Sequence, residues 1–71
     1  MFSNGHELAI RARIAAIVGL YDKEDIDLAV KNYLLFCLKH KDQDMRRAAS
    51  KIVDRDFPQY KGMLEKYLIL L

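Results

Sequence analysis

The chain has 71 residues, of which 52% are hydrophobic and 31% are charged, and its formal net charge is +2. This length predicts one domain over residues 1–71, and the apolar fraction argues against intrinsic disorder. Eight of the twelve Lys and Arg residues follow residue 35, but the small net charge demands no polyanionic partner. No apolar run reaches the roughly 20 residues that a bilayer-spanning helix needs, so we expect no membrane segment.

The single cysteine, Cys37, limits both redox chemistry and location. One cysteine cannot form an internal disulfide, so a reducing compartment such as the cytoplasm is the expected home. The neighbours Leu35, Phe36 and Leu38 are apolar, which favours a buried thiol that packs as a small hydrophobe. A reactive thiol or an intermolecular disulfide is the alternative.

Polar residues mark the starts of the first two predicted helices. Asn4 with Glu7 three positions later is typical of a capping box, and predicts a first helix from about Gly5 to Leu20. Asp22 with Asp25 resembles a second cap. Apolar residues then recur at helical spacing at Ile26, Ala29, Val30, Tyr33 and Cys37.

The second helix should end near the cations Lys39, His40 and Lys41, which the negative end of the helix dipole favours. Asp42 can cap a third helix that runs to about Arg55. Its apolar stripe consists of Met45, Ala48, Ala49, Ile52 and Val53.

Pro58 separates the third helix from a fourth, because proline disfavours helical geometry in the preceding residue and suits the first turn of a new helix. The fourth helix should run to the chain end. Its apolar face consists of Tyr60, Met63, Leu64, Tyr67, Leu68 and Leu71. Strand-like alternation is absent, so the sequence predicts an all-α fold in which four short helices pack as two helical hairpins.

The two predicted hairpins echo each other with a period near 35 residues, the spacing of α-solenoid repeats. Ile10-Arg11 aligns with Met45-Arg46, and Ile17-Val18 aligns with Ile52-Val53. The segment 42–53 resembles the second-helix signature of HEAT-type repeats, in which Asp42, Met45, Arg46, Ala49 and Val53 fit the pattern.

The HEAT-like resemblance covers residues 24–55 and implies a scaffold that binds other macromolecules, with no chemistry of its own. The proline expected early in the repeat is missing, and two hairpins are fewer than the three or so that usually form a stable array. The alternative is a four-helix bundle, orthogonal or up-and-down, with an accidental echo.

Convergent catalytic groups are not evident, so we expect no enzyme, no cofactor and no metal. Neither His6 nor His40 has a Cys or His at metal-ligand spacing. The acidic cluster from Asp22 to Asp27 lacks the glycine-bearing loop of a calcium site. The three glycines stand apart and form no phosphate-binding loop.

The first candidate binding site is the basic group Arg46, Arg47, Lys51 and Arg55 of the third helix. The residues at 47, 51 and 55 lie along one side of a helix and could follow a phosphate backbone or an acidic protein groove. A solvated charged face is the alternative, since Asp44 and Asp54 interrupt the group and no aromatic residue is interleaved for base stacking.

The second candidate is apolar. The first helix has apolar residues on most sides, and the chain ends on an aliphatic run that contains Tyr67, Leu68 and Leu71. Such surfaces are either buried within the monomer or shared with a partner. Our leading hypothesis is a small adaptor, accessory subunit or inhibitor with a protein partner, in a homodimer or a heteromer. Nucleic-acid binding by the third helix is the second hypothesis.

Overall fold

The computed structural model describes residues 5–70, except for the side chain of Leu70, and in this range the chain is helical without strands. The helices are α1 (Gly5–Leu20), α2 (Lys23–Leu38), α3 (Gln43–Asp56) and α4 (Lys61–Leu70), with a 3₁₀ turn at Pro58–Tyr60. The predicted all-α fold with four short helices is confirmed. None of the helices in the described range is both long and apolar enough to cross a membrane.

Helix starts follow the predicted caps with one correction. The Asp42 carboxylate accepts a hydrogen bond from the Asp44 amide at 2.9 Å, so it caps α3 as predicted. Asp22 occupies the N-cap position of α2, but its side chain makes no capping hydrogen bond. The Asp22 backbone carbonyl accepts from the first turn instead. The predicted cap at Asn4 lies outside the described residues.

Helix α2 ends near Lys39, as the sequence indicated. The helix stops at Leu38, so the cations Lys39, His40 and Lys41 follow the helix and do not occupy its last turn. The Lys39 amide still donates to the Leu35 carbonyl at 3.1 Å, which continues the helical turn by one residue. The carbonyls of His40 and Lys41, in the turn that follows, accept hydrogen bonds from the Arg46 side chain of α3.

The segment after α3 turns before it becomes helical again. Pro58 begins a 3₁₀ turn, not the α-helix that we expected, and α4 starts at Lys61. The rings of Phe57 and Tyr60 stack across this turn with their centroids 5.5 Å apart. A 3₁₀ turn at a helix start is a common geometry, and proline suits its first position.

All four helices contribute to one hydrophobic core. Helices α2 and α3 pack against each other, α1 packs against both, and α4 packs against α2. The buried residues are Ile10, Ile14, Val30, Leu34, Cys37, Ala48, Ala49, Ile52, Val53 and Leu64. Ala48 and Ala49 have small side chains, so α3 can approach its neighbouring helices closely. Both alanines belong to the apolar stripe that was predicted for this helix. The core is small for the apolar content of the chain, so many hydrophobic side chains remain outside it.

Candidate protein-interaction surface

The basic group of α3 is partly engaged within the molecule. The Arg46 guanidinium donates to the carbonyls of His40 and Lys41, at 2.7 and 2.9 Å. Arg55 forms an ion pair with Glu7 of α1 at 2.9 Å, and the hydrogen bond to Glu7 raises the pKa of Arg55. These two arginines therefore connect secondary-structure elements.

Arg47 and Lys51 are exposed on α3, and neither forms a hydrogen bond or ion pair with another described side chain. They are the two members of the basic group that remain available to an outside ligand. The hypothesis of nucleic-acid binding stays a prediction, and it now depends on this pair. Two cations offer a much weaker electrostatic contact than the four that the sequence suggested.

The chain-terminal candidates differ in exposure. Tyr67 is 48% exposed, whereas Leu68 is half-buried beside Leu38 and Val53. Leu71 lies outside the described residues. Ile69, which lies between Leu68 and Leu71 in the sequence, is 83% exposed.

Helix α1 is apolar on two sides, as the sequence indicated, and the structure buries one of them. Ile10 and Ile14 enter the core. On the other side Leu8 is 61% exposed, and Ala12 and Ala15 beside it also face solvent. This side is apolar, but its alanines offer little area for contact.

Two large apolar side chains are exposed on the outward side of α2. Leu28 and Phe36 are 61% and 63% exposed. At 3.6 residues per turn they share one side of the helix with Asn32 between them, opposite the core residues Val30 and Leu34. We call the row Asp25, Leu28, Asn32, Phe36 and Lys39 the α2 ridge. All five of its residues are exposed.

A groove runs along each side of the α2 ridge. The groove towards α1 has a volume of about 410 Å³, with Ile17, Tyr21 and Tyr33 in its walls. The groove towards α4 has a volume of about 280 Å³ and includes Met63 and Tyr67. Leu28 and Asn32 line both grooves. The α2 ridge and its two grooves belong to three helices, and the walls of the grooves are mainly apolar.

Local interactions hold the side chains around this surface in place. Phe36 stacks on Tyr33 with the ring centroids 6.4 Å apart, and it meets the His40 ring edge-on at 6.0 Å.

Burial raises the pKa of Tyr33 to about 12, and a hydrogen bond with Cys37 adds to the rise. Burial also raises the pKa of the Cys37 thiol, which is 1% exposed as predicted. Because the thiol is neutral and buried, it packs as an apolar group.

A second polar cluster fixes the 3₁₀ turn against α2. Asp27 pairs with Lys31 at 2.6 Å and accepts a hydrogen bond from the Tyr60 hydroxyl, and both contacts lower its pKa. The Lys31 ammonium lies 5.1 Å from the centre of the Tyr60 ring. The hydrogen bond to Asp27 raises the pKa of Tyr60 to about 12. Asp27, Lys31 and Tyr60 are engaged with one another, which indicates a structural role.

One group of potential metal ligands comes together in the described part of the chain. His6 at the start of α1 meets Asp42 and Asp44 at the start of α3, with ligand atoms within 4.8 Å of one another. Spacing along the sequence could not reveal this meeting of two helix ends. Asp42 already caps α3, and the positive end of that helix opposes a cation there. We therefore assign this cluster to helix capping.

Sequence reasoning did not identify the α2 ridge, although a signal for it was present. Asp25, Leu28, Asn32, Phe36 and Lys39 follow one another at intervals of three or four residues. Residues at this spacing lie on one side of a helix. The signal was obscured because the opposite side of the same helix is also apolar.

Comparisons with known proteins add no family. No family model matches the chain, and neither a curated protein nor a solved structure matches it. The HEAT-like resemblance over residues 24–55 therefore stays a prediction.

Proposed function

We propose that this chain is a protein-interaction module that binds its partner through the α2 ridge and the two grooves beside it. The observation that carries the proposal is the exposure of Leu28 and Phe36, each more than 60%, on the central helix of the fold. An exposed apolar patch on a small soluble domain is typical of a binding surface. Aromatic residues at its edges, Tyr21 and Tyr67, are among those enriched at interfaces.

The surface suits a protein better than a small molecule or a nucleic acid. The grooves lie on the two sides of an exposed ridge, whereas a small-molecule site buries most of its ligand in a single concave pocket. The exposed cations of α3, Arg47 and Lys51, lie on a different helix from the α2 ridge. The proposed role is that of an adaptor, accessory subunit or inhibitor without catalytic activity of its own.

We also propose a cytoplasmic location, because the one cysteine is buried as a free thiol and no disulfide supports the small core.

Affinity capture with matched variants tests the interaction proposal. Wild-type chain is immobilised beside Phe36→Glu and Leu28→Glu, which place a charge on the α2 ridge. Lys51→Glu serves as the control, since it places the same charge on α3. We expect that a partner from native lysate, or a differently tagged second copy, is retained by wild type and by the control and is lost from both ridge variants. Equal retention by all four proteins would contradict the proposal.

The nucleic-acid hypothesis has its own test. If α3 binds a phosphate backbone, Arg47→Ala and Lys51→Ala each reduce the salt slope of binding by about one unit. Absence of DNA and RNA binding at about 50 mM salt removes this hypothesis.

A further inference from the structure

The α2 ridge is arranged symmetrically about Asn32. Leu28 lies four residues before Asn32 and Phe36 lies four residues after it. Asp25 and Lys39 lie seven residues before and after it, about 10 Å away along the helix in each direction. All five side chains fall within an arc of about 80° on the outward side of α2.

This symmetry makes the α2 ridge complementary to itself. When two copies of α2 lie antiparallel with their Asn32 residues opposite each other, Leu28 of one copy meets Phe36 of the other. In the same arrangement Asp25 of each copy meets Lys39 of the other, so opposite charges face each other at both ends. A two-fold axis applies each contact twice, as in any isologous interface.

The groups at the two ends of the ridge are available for such contacts. Neither Asp25 nor Lys39 forms an ion pair with another described residue, although four other acidic side chains of this range do. A parallel arrangement would place Asp25 against Asp25 and Lys39 against Lys39, which like-charge repulsion disfavours. Asp25 and Lys39 therefore favour a second copy as the partner and an antiparallel arrangement of the two α2 helices.

The central residue of the ridge, Asn32, also favours this antiparallel arrangement. Asn32 is the polar residue between the two apolar positions of the row, and on a two-fold axis its amide meets an identical amide. An asparagine amide both donates and accepts, so the two can bond to each other. In helix pairs a single buried asparagine specifies register and the number of strands.

We propose that this chain forms a homodimer in which the α2 ridges of two copies pack antiparallel about Asn32. Tyr21 and Tyr67, in the flanking grooves, border the helix contact and extend it beyond α2. The interface is at the small end of specific interfaces, so we expect a dissociation constant on the order of 1–100 μM. This inference rests on the proposed function and names the partner as a second copy.

A charge swap tests the inference by sedimentation equilibrium over about 1–500 μM protein. Wild type should reach twice the mass of the chain. Asp25→Lys and Lys39→Asp alone each place two like-charged pairs in the dimer, and each should weaken association about tenfold. The double variant restores opposite charges and should regain wild-type association. Because the double variant is the least favourable for the dipole of α2, its recovery cannot be an effect of improved folding.

Disulfide trapping provides the second measurement. Asn32→Cys should form an intermolecular disulfide readily on mild oxidation, since the two-fold axis places its two thiols together. Lys51→Cys on α3 is the matched control and should stay reduced under the same conditions. The native Cys37 is buried and contributes to neither reaction.

Two outcomes overturn the inference. One is a chain that stays monomeric at every concentration, and the other is a dimer that is unaffected by the single charge reversals and is not trapped by Asn32→Cys. If the chain is monomeric but captures another protein in a way that depends on Phe36, the homodimer fails while the proposed function stands. If capture is also independent of Phe36 and Leu28, both fail.

Discussion

The hydroxyls of Tyr33 and Tyr60 are held in the neutral form by their surroundings. Tyr33 is partly buried beside Cys37, and Tyr60 donates to the ionised Asp27. In both cases ionisation would place a negative charge in a poorly hydrated position or beside an existing negative charge. The result for each is a pKa of about 12, well above the value of about 10 for an unfolded chain.

These raised pKa values predict a loss of stability at alkaline pH. A group with a higher pKa in the folded state contributes stability that is complete below its unfolded value and is lost as the pH rises towards its folded value. The free energy of unfolding should therefore decline between about pH 10 and 12. Tyr60→Phe should make this decline shallower, because phenylalanine does not titrate.

Urea unfolding at intervals from about pH 8 to 11.5, followed by circular dichroism, measures the effect. Lysines titrate in the same range but are identical in both proteins, so the difference between the two curves isolates Tyr60. If the curves for wild type and Tyr60→Phe run parallel, the hydroxyl does not hold its proton in the way that we describe.

Among the elements, the turn from α2 to α3 is organised by one side chain. Arg46 binds the carbonyls of His40 and Lys41, and the Asp42 amide donates to His40 Nδ1 at 3.0 Å. These two carbonyls belong to the turn after α2 and have no helical partner, and a cation from the next helix satisfies them here. Arg46 therefore determines how the two helices that form most of the core are joined.

Replacement of Arg46 should destabilise the fold, while replacement of its neighbour should not. Arg46→Ala removes two charge-assisted hydrogen bonds at the surface, and we expect a loss of about 1–2 kcal/mol in the free energy of unfolding. Arg47→Ala is the matched control, and its change should stay within about 0.5 kcal/mol, because no contact is lost. Urea unfolding of both variants at neutral pH measures the difference. Equal losses in the two would show that the carbonyl contacts do not matter for stability.

The helix boundaries could be predicted from the sequence better than the exposed surface of α2 could. The cap at Asp42 and the break at Pro58 are local signals, and local signals place helix boundaries well. The outward side of α2 was not predictable in this way, because Val30 and Leu28 lie on two apolar sides of one helix. Which side faces the core is decided by the packing of α1 and α3, which no local pattern contains.

The same limit applies to the basic group. Charge alone placed Arg46 and Arg55 in one site with Arg47 and Lys51. The partner of Arg55, Glu7, is 48 residues away in the sequence, so only the fold reveals that this arginine is occupied. For the apolar candidates, the sequence correctly indicated leftover hydrophobic surface but assigned it to the first helix and the chain end. The structure adds the middle of α2 to that surface.

For the whole molecule, a small core and a large apolar surface have a joint consequence. A chain of this length buries only about 60% of its unfolded surface, and three of the buried core residues, Cys37, Ala48 and Ala49, have small side chains. The proposed self-association through the α2 ridge would bury further apolar area in the folded state alone. It would therefore link folding to association thermodynamically.

This linkage predicts that the thermal midpoint depends on protein concentration. Association stabilises the folded state by mass action, so a hundredfold increase in concentration across the dissociation constant should raise the midpoint by about 5–10 °C. Phe36→Glu should abolish this dependence, and at high concentration it should melt at the temperature of the monomer. Phe36 also stacks on Tyr33, so the variant loses some stability at every concentration. The informative quantity is consequently the slope against concentration, with Lys51→Glu expected to keep the wild-type slope. A wild-type midpoint that stays constant from low to high micromolar concentration would mean that the α2 ridge does not bind a second copy.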